Sequence, residues 1–235
     1  MRRTAFNKSV KLEKRTFAAN MKRITFIVGH YGSGKSEFSV NLALQKKINY
    51  LVDLDIVNPY FRTRELTAML SEHDILMIAT TPENGIYGDL PYLSKDIFLP
   101  LQNKDVVAIY DMGGNDAGAI ILRQFSESID EDVDVWMVVN IFREQTQTKE
   151  AILAQIRSIE SSAGIKITGI VNNSNLLRET TVEDILEGDR IVKMVSEEIN
   201  IPIVYTAIPK RLSDKSFHLS GETLEMNLYL RKNWL

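Results

Sequence analysis

The sequence predicts a three-layer α/β domain, doubly wound around a mainly parallel sheet of about seven strands. Short apolar runs of strand length recur along the chain and alternate with segments of helical period. Such continuous apolar runs indicate strands that are buried on both faces, as in parallel sheets covered by crossover helices. With 235 residues, 44% of them hydrophobic and 25% charged, the chain is long enough to bury a core of this size.

The individual elements can be assigned from these runs. Strands are predicted over residues 24–28, 49–55, 75–81, 105–111, 134–141, 167–174 and 202–208. Apolar residues at helical spacing predict helices over 37–47, 150–164 and 182–199.

The C-terminal sequence LEMNLYLRKNWL predicts one more helix. In a helix, Leu224, Leu228 and Leu235 lie near one another, so we expect it to dock on the core. A helix lying on a membrane surface is the alternative.

Charge is unevenly distributed. Residues 1–23 hold eight of the 28 Lys and Arg residues and one of the 31 Asp and Glu residues, which leaves 20 basic and 30 acidic residues over 24–235. This acidic body argues against nucleic-acid binding by the folded domain. We interpret residues 1–20 as a disordered basic N-terminal extension and 21–235 as a single domain, since MKRITFIVG is typical of a natural beginning. A lipid-binding, nucleic-acid-binding or transit-like arm is the alternative.

The composition excludes several kinds of site. The chain contains no cysteine, which excludes disulfides, thiolate-bound zinc and cysteine-ligated iron–sulfur clusters. Its three scattered histidines are poor material for a transition-metal site. No apolar run is long enough to span a bilayer and the N-terminus lacks a secretory apolar core, so we expect a cytoplasmic protein without stable membrane insertion.

The strongest motif is GHYGSGKSE, which lies between a predicted strand and a predicted helix and matches G-x-x-x-x-G-K-S. In such a P-loop the glycines let backbone N–H groups point at phosphate oxygens. Lys35 is then expected to neutralise β and γ phosphates and to act in catalysis, and Ser36 to bind Mg²⁺. The predicted nucleotide-binding residues here are Gly29, His30, Tyr31, Gly32, Ser33, Gly34, Lys35, Ser36 and Glu37.

A second motif, VVAIYDMGGNDAG, places Asp111 at the carboxyl end of an apolar strand. A carboxylate at this point of a P-loop protein holds Mg²⁺, usually through water. The glycines that follow, including Gly114, allow the backbone to approach a γ-phosphate. We therefore predict Asp111 as a metal ligand and Gly114 as a nucleotide contact.

A third motif, LVDLDIVNPYFRTRE, places Asp53 and Asp55 at the end of the next strand. Carboxylates there can bind Mg²⁺ or orient a water for attack on the γ-phosphate. Arg62 and Arg64 either meet the developing phosphate charge or form a solvated helix face with Glu65.

The base end of the site is marked by ITGIVNNSN. No N-K-x-D sequence occurs, so the usual carboxylate that reads guanine has no candidate. Asn172 and Asn173 end a strand instead, and a side-chain amide can both donate to and accept from adenine. We therefore predict ATP rather than GTP.

The order of these motifs resembles the MinD/ParA and CobQ/CobB class of P-loop ATPases over residues 21–210, and more narrowly an uncharacterised nucleotide-binding subfamily of it. The resemblance implies that Asp55 is both catalytic and a metal ligand, and that Asp111 and Gly114 belong to the second switch. It also implies that Asn173 contacts adenine, as in the nitrogenase iron protein, and that Pro209 lies in a loop packed against the base.

One position departs from ParA-type proteins, which carry a signature lysine after the first loop glycine. That lysine reaches the partner's phosphates across a dimer, and His30 stands in its place. Either this dimer does not form, or another cation such as Arg62 or Arg64 substitutes. A homodimer therefore stays possible.

The leading hypothesis is a slow, Mg²⁺-dependent ATPase that acts as a nucleotide-driven switch on an unknown partner protein. A small-molecule kinase is the first alternative, with residues 80–96 as a candidate acceptor loop or as a simple surface connection. A nucleotide-sensing module with little hydrolysis is the second.

Overall fold

The fold is built on an eight-stranded parallel sheet, seen in a computed structural model that describes residues 21–54, 63–79, 95–114, 116–126, 132–214 and 218–230. The order across the sheet is β3-β2-β4-β1-β5-β6-β7-β8, and all neighbouring pairs run parallel. The strands are β1 (Ile24–Val28), β2 (Tyr50–Leu54), β3 (Leu76–Ala79), β4 (Ala108–Met112), β5 (Val133–Val139), β6 (Gly169–Asn172), β7 (Ile203–Pro209) and β8 (Glu222–Met226).

Helices connect the strands within these described ranges. They are α1 (Lys35–Lys46), α2 (Thr63–Glu72), α3 (Leu99–Gln102), α4 (Asp116–Arg123), α5 (Lys149–Ala163) and α6 (Val182–Ile199). Local sequence sets their ends. For α6, Thr181 and Asp184 form a capping box, and Asn200 ends the helix with a left-handed φ of 54°.

The helices cover both faces of the sheet. Residues of α1 and α2 pack on one face in a cluster that includes Trp136, whereas residues of α4, α5 and α6 pack on the other in a cluster that includes Tyr110. The fully buried strands therefore read as apolar runs, and the predicted doubly wound, three-layer parallel sheet is confirmed.

The centre of the sheet is the point at which strand order reverses. β1 pairs with β4 on one side and with β5 on the other, and the two halves of the chain extend outwards from there. Ligands of doubly wound folds bind outside the carboxyl ends of the strands at such a switch point. The loop after β1 lies at this place.

The C-terminal prediction was wrong. Residues 222–226 form β8, an edge strand parallel to β7, and not the start of a helix. Leu224 alone is buried there, at 1% exposure, against the cluster that contains α1. The side chain of Gln45 in α1 donates to the carbonyl of Glu225 in this strand, a long-range contact that the local helical spacing of leucines could not reveal.

The extension predicted over residues 1–20 and the position of Leu235 lie outside the described residues. Within the part of the chain that the structure describes, no helix is long and apolar enough to cross a bilayer.

Candidate functional site: a phosphate loop beside a polar cavity

The loop from Gly29 to Gly34 connects β1 to α1 and has the conformation of a phosphate cradle. Gly29, Gly32 and Gly34 all have positive φ. At Gly34, with φ of 88°, an added Cβ would lie 2.4 Å from Nδ2 of Asn173, so only glycine fits. Gly34 is also the N-cap of α1 and supplies no side-chain hydrogen bond, which leaves the first N–H groups of the helix directed at the loop.

Lys35 is buried within this loop at 6% exposure. Its Nζ donates to the backbone carbonyl of His30 at 3.0 Å. The contact holds the ammonium inside the loop and against the N-terminus of α1. Ser36 follows in the first turn of α1 and is partly exposed.

His30 and Tyr31 form the tip of the loop. Burial lowers the pKa of His30, and the nearby positive charges of Lys35 and Arg143 lower it further. His30 is therefore neutral at pH 7 and adds no cation to the loop. Tyr31 is 63% exposed and projects from the tip.

Asp111 lies on the same side of the sheet as α1. It is 5% exposed and pairs in register with Asp53 of β2. Leu51 and Ile109, two residues earlier on the same strands, pack in the cluster that contains α1. Since alternate residues of a strand share a face, both carboxylates point towards the layer that carries Ser36.

The structure thus brings two carboxylates together near the phosphate loop. The sequence named Asp53 only alongside Asp55, and Asp55 itself lies outside the described residues, as does Arg62. Among the described residues no group of three or more His, Asp or Glu side chains could hold a metal ion. Mg²⁺ in P-loop proteins needs only one or two protein ligands, because phosphates and waters supply the rest.

Gly114 packs against the tip of the phosphate loop. A Cβ at this position would lie 2.8 Å from Nζ of Lys35 and 2.8 Å from the backbone of Tyr31. The connection after β4 therefore approaches the loop as closely as a backbone can.

Asn173 braces the loop from β6. The side chain is 3% exposed, and its Nδ2 donates to the carbonyl of Ser33 at 2.7 Å. This explains why a buried amide ends an apolar strand. The adenine contact expected of Asn173 stays a prediction.

Asn140 joins the ends of β5 and β6 and was missed in the sequence. Its Oδ1 accepts from the backbone N–H groups of Phe142 at 3.0 Å and Asn175 at 3.3 Å, and its Nδ2 donates to the carbonyl of Asn175 at 3.1 Å. A polar residue after the apolar run DVWMVV was the available signal, as it was for Asp111.

Arg143 is the second residue that sequence reasoning missed. It follows β5, and its Nε donates to the carbonyl of Gly32 at 2.8 Å, so the guanidinium lies against the outer side of the phosphate loop. A single arginine in the polar stretch FREQTQT carries no pattern, so nothing local marked it.

A cavity of about 280 Å³ opens beside the loop. It runs from Gly32 and Gly34 across the ends of β5 and β6 to the ends of β7 and β8. Pro209 lines it, and the contact with the base that the resemblance implies for this residue stays a prediction. Four cationic residues also line the cavity: Arg143, Arg178, Lys210 and Arg211.

Glu37 lines the same cavity from the first turn of α1. It is 8% exposed, and its carboxylate accepts hydrogen bonds from the backbone N–H groups of Tyr229 and Leu230, the latter at 3.0 Å. The helix that begins at the phosphate loop is therefore tied to the C-terminal part of the chain.

No protein-family model matches the chain, and no curated protein matches its sequence. Solved structures of FtsY proteins share its fold. The cell division protein FtsY from Thermotoga maritima is 14% identical with a TM-score of 0.54, over 87% of this chain and 68% of its own. Chloroplast FtsY from Physcomitrella patens is 18% identical with a TM-score of 0.52, over 83% and 63%.

The signal recognition particle receptor FtsY from Elizabethkingia anophelis, solved in complex with GDP, is 15% identical with a TM-score of 0.50, over 86% and 62%. This chain thus spans about two thirds of the length of these solved structures. At such identities the similarity establishes the fold alone: an α/β parallel sheet of the P-loop NTPase type.

Proposed function

We propose that this protein is an Mg²⁺-dependent ATP-binding switch with slow hydrolysis, which acts on a partner protein. The observation that carries the proposal is the loop from Gly29 to Ser36, with its positive φ glycines, its buried lysine and the uncapped start of α1. These features together favour the binding of polyphosphate.

The residues around the loop fit a nucleotide with its metal ion. Ser36 and Asp111 would hold Mg²⁺, with Asp53 beside Asp111 in register. The metal ion would supply charge neutralisation at the β and γ phosphates. Lys35 would bind the same phosphates, and Asp55 would orient the attacking water.

The switch element would be the connection after β4. Gly114 lies against both Lys35 and Tyr31, so a γ-phosphate in the loop would contact this connection and order it. Loss of that phosphate on hydrolysis would release it. A partner protein that binds only the ordered form would read the difference.

The lining of the cavity is compatible with adenine, and the choice of ATP rests on the absence of an N-K-x-D sequence. Recognition of guanine needs an acceptor such as a carboxylate for its two N–H donors. Among the described lining residues the one carboxylate is that of Glu37, which accepts from the backbone of Leu230. The uncharged polar side chains that line the cavity are all amides: Asn140, Asn173, Asn175 and Asn227.

Within P-loop proteins we assign the chain to the MinD/ParA and CobQ/CobB class, on the motifs that include Asp55, Asp111 and Asn173. His30 replaces the signature lysine of ParA-type proteins and is neutral, so it does not substitute for that cation. Arg143 bonds the carbonyl of Gly32 in the loop, so among the described residues it is our candidate to replace the charge of that lysine. We therefore propose a switch that completes its own site, with a homodimer as an option and not a requirement.

Equilibrium binding of ATP and GTP with Mg²⁺, together with phosphate release in the absence of any acceptor, tests this function. We expect ATP to bind more tightly than GTP, and Lys35→Ala to bind both much more weakly than the wild type does. Asp55→Ala should keep ATP binding and lose phosphate release.

Tighter binding of GTP would overturn the choice of nucleotide. If wild-type protein binds neither nucleotide better than Lys35→Ala does, the proposed function is wrong. Phosphate release that depends on an added small-molecule acceptor would identify a kinase instead.

A further inference from the structure

One face of α1 carries a polar stripe that bonds the C-terminal part of the chain. The stripe consists of Glu37, Asn41 and Gln45, which are spaced four residues apart and so share a face. The Nδ2 of Asn41 donates to the carbonyl of Asn227 at 2.9 Å, and its Oδ1 accepts from the N–H of the same residue at 2.8 Å. The Nε2 of Gln45 donates to the carbonyl of Glu225 at 2.7 Å.

These contacts lie at the end of β8 and directly after it. β8 is the edge of the sheet, and an edge strand presents N–H and C=O groups without a strand partner. Gln45 bonds Glu225 within this strand, and Asn41, 1% exposed, bonds both backbone groups of Asn227, the residue after it. Glu37 continues the pairing at Tyr229 and Leu230. The course of the chain after β8 is therefore set by α1.

The residues held in this way reach the cavity. Met226, Asn227 and Leu228 line it together with Glu37 of the first turn of α1. Asn41 occupies both backbone groups of Asn227, so the side-chain amide is the polar group that this residue offers to the cavity. Met226 and Leu228 add apolar surface beside Ala207.

We propose that residues 226–228, which we call the base wall, contact the aromatic base of the bound nucleotide. Asn227 is the hydrogen-bonding group of the wall, and Leu228 packs on the ring. Glu37 and Asn41 are positioning residues that hold the wall in register with the phosphate loop. This inference rests on the proposed nucleotide-binding function and assigns its base contact to a segment outside the phosphate-loop motifs.

The experiment compares two ligands, ATP and inorganic tripolyphosphate, both with Mg²⁺. Tripolyphosphate binds the phosphate loop but has no base. We expect Leu228→Ala and Asn227→Ala to weaken ATP binding roughly tenfold, which is typical of losing one contact in a ligand pocket. Binding of tripolyphosphate should stay within about twofold of wild type, because neither substitution touches the loop.

Asn41→Ala tests the positioning role, with Gln45→Ala as the matched control. Both substitutions truncate an amide of the same stripe, but Gln45 bonds Glu225, which precedes the base wall. We expect Asn41→Ala to weaken ATP binding and leave tripolyphosphate binding unchanged, and Gln45→Ala to change neither. If Asn41→Ala unfolds and so binds neither ligand, the base wall is judged from Asn227→Ala and Leu228→Ala alone.

ATP binding by Asn227→Ala and Leu228→Ala at wild-type strength would overturn the base wall. Equal losses of ATP and tripolyphosphate in these two variants would also overturn it, since the effect would then lie at the phosphate loop. If wild-type protein binds neither ligand, the proposed function itself fails. The two failures are therefore distinguishable.

Discussion

The two ends of the cavity are built in different ways. The phosphate end comes from consecutive residues, Gly29 to Ser36, between one strand and one helix. The end that we propose for the base is assembled from the ends of β5, β6, β7 and β8, and its contact from Glu37 to Leu230 joins residues 193 positions apart. A loop that depends on backbone N–H groups can be encoded locally, whereas a cavity lined by four strand ends requires the whole sheet.

The largest effect is expected from a substitution that impairs phosphate binding by the loop from Gly29 to Ser36. We expect Lys35→Ala to weaken ATP binding about 100-fold, since a hydrogen bond to a charged group contributes roughly 1.5–3 kcal/mol. The control is Lys46→Ala at the far end of α1, where the side chain pairs with Glu222. Calorimetric titration with Mg²⁺-ATP measures both variants. If the two variants bind ATP with similar affinity, Lys35 does not contribute to phosphate binding.

The next substitution separates two reasons for a glycine at position 34. One is the close contact with Asn173, and the other is the left-handed backbone conformation. Gly34→Ala would place a Cβ 2.4 Å from Asn173, whereas Gly164→Ala, at φ of 70°, meets no atom within 4 Å. A left-handed conformation costs either alanine about 1–2 kcal/mol. Urea unfolding should show a clearly larger loss for Gly34→Ala, and ATP titration should show lost binding for that variant only. An equal loss of stability would mean that the contact with Asn173 relaxes freely.

Asn173 connects the two ends of the cavity, because it follows β6 and its side chain bonds the phosphate loop. We expect Asn173→Ala to lower the free energy of unfolding by about 1–3 kcal/mol, since the buried carbonyl of Ser33 loses its donor. ATP binding should weaken as well. The matched truncation Asn103→Ala, at an exposed turn, should cost no more than about 0.5 kcal/mol. If the two variants unfold alike in urea, Asn173 does not brace the loop.

The smallest effect concerns the tip of the loop and pH. Burial and the charges of Lys35 and Arg143 hold the pKa of His30 below its usual value of 6.5. The unfolded chain therefore binds a proton here at a higher pH than the folded chain, and the free energy of unfolding should fall as pH drops below 6.5. In His30→Gln, the free energy of unfolding should fall less steeply below pH 6.5 than in the wild type. Urea midpoints at several pH values check this, and parallel curves for both proteins would contradict it.

Much of the fold could be predicted from the sequence. Seven apolar runs became β1 to β7, and the helix predicted over 182–199 is α6, because burial on both faces and helical spacing leave clear periodic patterns. β8 was mistaken for a helix. It has one fully buried leucine, and its contacts with Gln45 and Lys46 come from α1, so no local pattern reports it.

The candidate site divides in the same manner. Lys35, Asp111 and Asn173 stand at positions that the motifs single out. The structure bonds Lys35 and Asn173 to the loop and pairs Asp111 in register with Ile27, which precedes it. Arg143 and Asn227 were not predicted. Arg143 is a single arginine in a polar stretch and Asn227 lies between Met226 and Leu228, so the place of each at the cavity follows from strand order rather than from neighbouring residues.

The sequence by itself determined the phosphate loop, the parallel sheet and the alternation of strands with helices, since glycine φ angles, burial and helix spacing act over a few residues. Only the tertiary structure decided that Asp53 pairs with Asp111, that Arg143 contacts the loop, and that Asn41 of α1 bonds the backbone of Asn227. These contacts depend on the register of strands and on the satisfaction of edge hydrogen bonds. Both are settled by residues far apart in the chain.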